Sequence, residues 1–248
     1  MTSRFSSELF DHPQGAGPLE GAEAELFAEL VPTAVRDALA DRDFVDEPVE
    51  LASAIDLPDV FVPDHYEPNY AYPLLVWLEN APLSQNKLDR RMRQISDRNY
   101  FGVALEAGEA DTIEERLHTT FLSLRRRYHL NTERVYLLGS GDLGTLALTI
   151  GLCRPAWFGG IAAFSAAWPD APRLLSQFDG LRGKSALLAV GEEDDAVQLA
   201  DVAYGSRLLW TAGMNVTTVT ASADGQSALL REIDRWVMQG IEQPELVC

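Results

Sequence analysis

Histidine is scarce in this chain and confined to its first half. The 248 residues include four histidines, and none lies beyond position 129. They are His12, His65, His118 and His129. Histidine is the most common general base in enzymes, and a mechanism that takes a histidine base from the C-terminal half is excluded. No histidine or cysteine pair has the spacing of zinc ligands, and no metal site of that kind is expected.

Cysteine and long apolar runs are also rare. The two cysteines, Cys153 and Cys248, form no disulfide framework, which favours a reducing cytoplasm. No apolar run reaches the length of a membrane span, and the opening MTSRFSSELF lacks the apolar centre of a signal peptide. We therefore expect a cytoplasmic protein without a membrane partner.

Basic residues are outnumbered by acidic ones, 20 to 38, which gives a net charge of −18. This charge argues against nucleic acid as a partner. Residues 1–50 hold 12 acidic and 3 basic residues. We interpret residues 1–57 as an acidic N-terminal extension, partly helical or loosely ordered, and 58–248 as the folded domain. The extension is either a solvated segment or an arm for a protein partner or for homo-oligomerisation.

Strand and helix patterns alternate from Asp59 onward. The predicted strands are 60–62, 74–78, 100–105, 134–138, 160–164, 185–190 and 216–220. Thr112 and Glu115 have capping-box spacing for a helix that runs to Tyr128. The alternation predicts an α/β fold, with a mostly parallel twisted sheet of about seven strands and helices on both faces. The helix that begins after Ser84 carries a basic stripe, interpreted as solvated or as a dock for the acidic extension: Lys87, Arg90, Arg91, Arg93 and Arg98.

The segment 134–155, RVYLLGSGDLGTLALTIGLCRP, organises the rest of the domain. It reads as a buried strand, a glycine-bearing turn and an apolar helix, the setting of the nucleophile elbow G-x-S-x-G. The strand before the turn and the distance to the following proline put Gly139 at the first small position and Gly141 at the nucleophile position. A register one residue later would make Asp142 the nucleophile.

These segments resemble the phospholipase/carboxylesterase branch of the α/β-hydrolases, small bacterial serine esterases, over about three quarters of the chain. The resemblance is carried by YPLLVWLENAP, RNYFGVALEAG, the elbow with RPAWFGGIAAFS, LLAVGEEDDAV and LLREIDRWVMQGI. It implies a serine nucleophile, an acid, a histidine and a His-Gly oxyanion loop. This sequence has Gly141 at the nucleophile position, Asp194 at the acid position, Gln226 at the histidine position, and Glu79 with Asn80 in the oxyanion loop.

Only the acid is retained in this set. Gln226 cannot accept a proton, and a carboxylate at Glu79 would repel a developing oxyanion. An Asp142 nucleophile would also need a histidine to hydrolyse its ester. We therefore predict a catalytically inactive α/β-hydrolase-fold protein, a pseudo-esterase that acts in binding, scaffolding or regulation. The alternative is a carboxylic ester hydrolase of the same family with a non-standard site. No cofactor is expected in either case.

Carboxylates follow several of the predicted strands at their C-terminal ends, where ligands bind in this type of fold. They are Glu79, Glu106, Asp142, Glu192, Glu193 and Asp194. No lysine or arginine lies beside them in the sequence, so either they turn into solvent or the cleft binds a cation. Glu79, Asp142 and Asp194 form the candidate cation cluster.

Overall fold

One seven-stranded sheet is the framework of the computed structural model, in the order β1-β3-β2-β4-β5-β6-β7. The structure describes residues 58–108, 110–169, 178–191, 196–221 and 226–242. These residues belong to one compact unit, Asp56–Cys248. The predicted extension 1–57 and the predicted acid Asp194 lie outside the described residues.

The strands occupy the predicted places, and β2, β4, β6 and β7 are longer than predicted. They are β1 (Val60–Phe61), β2 (Tyr72–Glu79), β3 (Phe101–Glu106), β4 (Leu130–Ser140), β5 (Gly160–Phe164), β6 (Ser185–Gly191) and β7 (Asn215–Ala221). Strand β1 pairs antiparallel with β3, and every other pairing in the sheet is parallel. The predicted mostly parallel sheet is confirmed.

Helices connect successive strands from β2 to β7, and one more helix follows β7. They are α1 (Gln85–Ile95), α2 (Ala110–Arg127), α3 (Asp142–Cys153), α4 (Phe178–Leu181), α5 (Ala196–Thr211) and α6 (Gln226–Glu242), with a 3-10 turn at Pro155–Trp157. The predicted capping box is wrong, because α2 already begins at Ala110 and Thr112 lies inside its first turn. None of the described helices is long and apolar enough to cross a lipid bilayer.

Two hydrophobic layers cover the sheet, and β2 shows how the sequence creates them. Its apolar run is buried on both faces, as expected for a central parallel strand. Because side chains alternate along a strand, Leu74 and Val76 join the core beside α2 and α3, whereas Leu75 and Trp77 join the core beside α1 and α6. Because β2 to β7 run parallel, their carboxyl ends lie together at one end of the sheet.

Candidate active site

A sharp turn joins β4 to α3 at the end of the sheet where the parallel strands have their carboxyl ends. Its central residue is Gly141, with φ 58° and ψ −127°. The Gly141 amide donates to the Phe164 carbonyl at 2.8 Å, and the Gly141 carbonyl accepts from the Thr145 amide at 3.1 Å. The positive φ expected for Gly141 is observed. This strand–turn–helix geometry is that of a nucleophile elbow.

Close backbone packing makes two neighbouring glycines necessary. A Cβ on Gly139 would lie 2.2 Å from the Leu143 carbonyl oxygen, and one on Gly144 would lie 2.7 Å from the Ala166 Cβ. The elbow pattern requires a small residue two positions after the nucleophile, where this chain has the buried Leu143. Gly144, one residue later, makes the close contact instead. The turn therefore keeps its tight packing with a shifted second glycine.

The position of a nucleophile is open but has no side chain. A Cβ built on Gly141 meets no atom within 4 Å, so a side chain there would project into free space. Asp142, the runner-up nucleophile, is exposed and is the first residue of α3, while the positive φ belongs to Gly141. The structure thus supports the register that puts Gly141, and not Asp142, at the elbow.

The predicted oxyanion-loop pair lies at the C-terminal end of β2, the strand next to β4 in the sheet: Glu79 is the last residue of β2 and Asn80 follows it. The Glu79 carboxylate forms an ion pair with Arg91 of α1. The Arg91 guanidinium also lies over the Trp77 ring, with its carbon 4.7 Å from the ring centroid. Asn80, which completes the predicted loop pair, is exposed.

The basic stripe is solvated at four of its five positions, since Lys87, Arg90, Arg93 and Arg98 are exposed. Arg91 is the exception, because it is partly buried and pairs with Glu79. The expectation that Glu79 lacks a counter-ion is therefore wrong. The sequence could not reveal this pairing, because Glu79 and Arg91 are 12 positions apart and meet only when α1 packs on the sheet.

The other carboxylates predicted at the carboxyl ends of the strands have surroundings that differ from those of Glu79. Glu79 lies in register with Glu106 at the end of β3, and Arg116 donates to the Glu106 backbone carbonyl at 2.6 Å. Among the described residues, no group of three or more potential ligands could hold a metal ion. Glu192, Glu193 and Asp194 lie outside that part of the chain, so the cation cluster of Glu79, Asp142 and Asp194 stays a prediction.

The described histidines lie away from the elbow. His65 follows β1, whose antiparallel pairing with β3 carries it toward the amino ends of the parallel strands. His129 immediately precedes β4. Leu130 pairs with Tyr72 and Leu138 pairs with Trp77, five residues along β2, so at about 3.3 Å per residue His129 lies roughly 25 Å from the elbow. Its Nδ1 lies 3.0 Å from the Pro68 carbonyl oxygen. His118, exposed on α2, faces the Trp157 ring at 5.8 Å between centroids. Gln226 is the first residue of α6, but the structure does not describe its side chain.

The sequence did not predict a second residue with positive φ near the elbow, in addition to Gly141. Ser165 follows β5 and has φ 47°, which is uncommon for a residue other than glycine. Its amide donates to the Ala189 carbonyl at 2.7 Å, and the Thr145 hydroxyl donates to the Ala167 carbonyl at 2.9 Å. These bonds fix the segment after β5 beside the elbow. The positive φ has no signature in the sequence, because serine occupies ordinary conformations in most contexts.

Comparison with known proteins identifies the fold. No protein-family model and no curated protein sequence matches the chain. Solved structures do match. A thermostable esterase is 16% identical with a TM-score of 0.54, and the match covers 73% of this chain and 57% of that one. The chain thus spans less than two thirds of that esterase.

Two other neighbours are covered almost completely by the match. Esterase PE8 is 17% identical with a TM-score of 0.54, over 73% of this chain and 98% of that one. SOBER1 of Arabidopsis thaliana is 16% identical with a TM-score of 0.53, over 69% of this chain and 100% of that one. At these identities the likeness establishes the fold. The chain has the α/β-hydrolase fold that these structures share.

Proposed function

We propose that this protein is a non-catalytic member of the α/β-hydrolase fold, a pseudo-esterase that acts in binding, scaffolding or regulation. The observation that carries the proposal is Gly141. It has the backbone conformation of a nucleophile elbow and the open space that a nucleophile would occupy, but it offers no atom that can attack a carbonyl.

The surroundings of the elbow support the same proposal. An ester hydrolase stabilises the developing negative charge with hydrogen-bond donors. At the corresponding strand end this chain has the Glu79 carboxylate, which forms an ion pair with Arg91 and so neutralises its positive charge. The sequence also has no histidine after position 129 to act as a base. Two cysteines without a disulfide framework favour a cytoplasmic location, and residues 1–57 would supply the binding arm.

An active ester hydrolase with a non-standard site is the second candidate. It is supported by two of the structural neighbours, the thermostable esterase and esterase PE8. In this version the exposed Ser140, the residue before Gly141, is the hydroxyl to examine first. Its base would have to come from a carboxylate, because the described histidines lie elsewhere.

Ester hydrolysis and active-site labelling distinguish the two candidates. The purified protein is assayed with nitrophenyl acetate to octanoate and treated with a fluorophosphonate probe. We expect no turnover above a heat-denatured control and no labelled serine. The matched variant Ser140→Ala should be indistinguishable from wild type. Turnover or labelling that survives purification and disappears in Ser140→Ala would establish the ester hydrolase instead.

Rebuilding the site tests the reason for inactivity. Gly141→Ser alone should stay inactive, because Gln226 and Glu79 are unchanged and no base or oxyanion donor has been added. Gly141→Ser combined with Gln226→His and Glu79→His should give weak turnover. Efficient hydrolysis by the single variant would show that a competent base is already present and would contradict the proposal.

A further inference from the structure

The exposed apolar side chains of this protein are concentrated on one helix. Within the described chain, four large apolar side chains are exposed, and three of them lie on α5. They are Leu199 with 55% of its surface exposed, Tyr204 with 59% and Trp210 with 74%. Single exposed apolar residues are ordinary, but a cluster on one element indicates an interaction surface.

The direction of this cluster follows from helix geometry. At about 100° per residue, Leu199, Ala203 and Trp210 fall within roughly 40° of one another, and Tyr204 lies about 140° from Leu199. Tyr204 packs edge-to-face on Trp168, which follows β5, at 6.2 Å between centroids. The flank with Tyr204 therefore faces the middle of the sheet. The flank with Leu199, Ala203 and Trp210 faces the outer edge, which is β7.

Strand β7 continues the same surface. Among the described strands, it pairs with β6 on one side and has no neighbour on the other. Its sequence NVTTVTA contains no charged residue and no proline, the features that commonly protect an edge strand from pairing. Thr218 and Thr220 are exposed on it. We define the edge face as Leu199, Ala203, Trp210, Thr218 and Thr220.

The charge of the edge face indicates what it binds. In a chain with a net charge of −18, two copies repel one another over most of their surface. The sequences of α5 and β7 contain one acidic residue, Asp201, whose carboxylate accepts from the Trp168 amide on the inner flank. A basic partner would bind more favourably to an acidic surface than to the edge face. A neutral, apolar face is suited to a second copy of this same chain.

The dimensions allow such a contact. A 16-residue helix and a seven-residue strand are each about 24 Å long, and helix and strand together are roughly 20 Å deep. The footprint is on the order of 500 Å² per copy, near the lower end for specific interfaces. A two-fold axis would place the same patch of both copies face to face. The exposed Arg207 lies at the solvent-facing margin of this surface, about 40° around the helix from Ala203.

We infer that the edge face, formed by α5 and β7, is the surface through which two copies of this chain associate as a weak, two-fold symmetric dimer. The two β7 strands lie antiparallel beside each other, and each Trp210 covers the Leu199 end of the other helix. This dimer is independent of whether the elbow is catalytic.

Sedimentation velocity over a wide concentration series tests the inference with the full chain. Wild type should change from monomer to dimer with increasing concentration. Trp210→Glu and Leu199→Glu should each weaken association at least tenfold, because each places a carboxylate in the contact. Tyr70→Glu is the matched control, since Tyr70 is the fourth exposed large apolar residue, at 48%, and lies away from the edge face. It should associate as wild type does.

Hydrogen exchange provides a second measurement. The β7 amides of wild type should exchange more slowly at high concentration, and this concentration dependence should be lost in Trp210→Glu. Far-ultraviolet circular dichroism verifies that the variants are folded. A monomer at every concentration would overturn the inference, as would binding of an unrelated protein to the edge face of a strictly monomeric chain. A dimer that survives both glutamate variants would also overturn it.

Discussion

The elbow makes a sharp prediction about stability, because two of its glycines are required for different reasons. At Gly141 the requirement is backbone conformation, since φ is 58° and the space for a Cβ is empty. At Gly139 the requirement is space, since a Cβ would lie 2.2 Å from the Leu143 carbonyl oxygen and 2.5 Å from its carbon. We therefore compare Gly139→Ala with Gly141→Ala.

The two costs differ because only one clash involves rigid atoms. A residue other than glycine in a rare region of φ and ψ costs about 1–3 kcal/mol. The Gly139 contacts are with backbone atoms at the start of α3, which cannot rotate away as a side chain would. Relief requires moving the first turn of the helix, so we expect Gly139→Ala to lower the free energy of unfolding by at least ~4 kcal/mol, in the range of severe substitutions.

Urea unfolding followed by circular dichroism measures both values, with thermal unfolding as a check. For a domain of 150–250 residues, 1 kcal/mol corresponds to roughly 2–4 °C in Tm. Gly141→Ala should therefore lower the Tm by about 2–12 °C, and Gly139→Ala should lower it by a larger amount or prevent folding. Gly139→Ala with a loss equal to or smaller than that of Gly141→Ala would refute the elbow packing described above.

Two further predictions concern buried polar contacts. Glu79→Gln should lower the free energy of unfolding by about 1 kcal/mol, because it leaves the partly buried Arg91 without its carboxylate. The control is Arg93→Gln, which breaks an exposed ion pair and should cause a smaller loss in urea unfolding. Equal losses in the two variants would contradict this prediction. Burial, reinforced by the hydrogen bond to Asp234, raises the pKa of Tyr100 far above its ordinary value. Because the folded state then keeps a proton that the unfolded state releases near pH 10, stability should be intact below pH ~10 and fall as the pH rises above it. Unfolding measured against pH should show a shallower fall in Tyr100→Phe, and an unchanged slope would contradict the prediction.

The order of strands and helices could be predicted because its signals are local. The apolar run at β2 and the glycines at 139, 141 and 144 each lie within one element or one turn. The register of the elbow followed from the same short segment. Boundaries were less accessible, as at α2, where the predicted cap at Thr112 lies within the helix.

The electrostatics of the site could not be predicted in the same way. Glu79 appeared to lack a counter-ion because its partner Arg91 is on the following helix and reaches it only through packing of α1 on the sheet. The exposure of Trp210 was equally hidden, because α5 is apolar on more than one face. Asp194 and the Gln226 side chain lie outside the described residues, and their assignments stay predictions.

The packing around the elbow also has a consequence for the order of folding. Strand β4, α3 and β5 are contiguous in the sequence, and close contacts at Gly144 with Ala166 and at Gly151 with Ile161 join them. Contacts over short sequence separations form with little loop-closure entropy, whereas the pairing of β1 with β3 must close a loop of about 40 residues. The β4–α3–β5 unit is thus a natural nucleus for the sheet. An elbow without a nucleophile can still direct the folding of the chain.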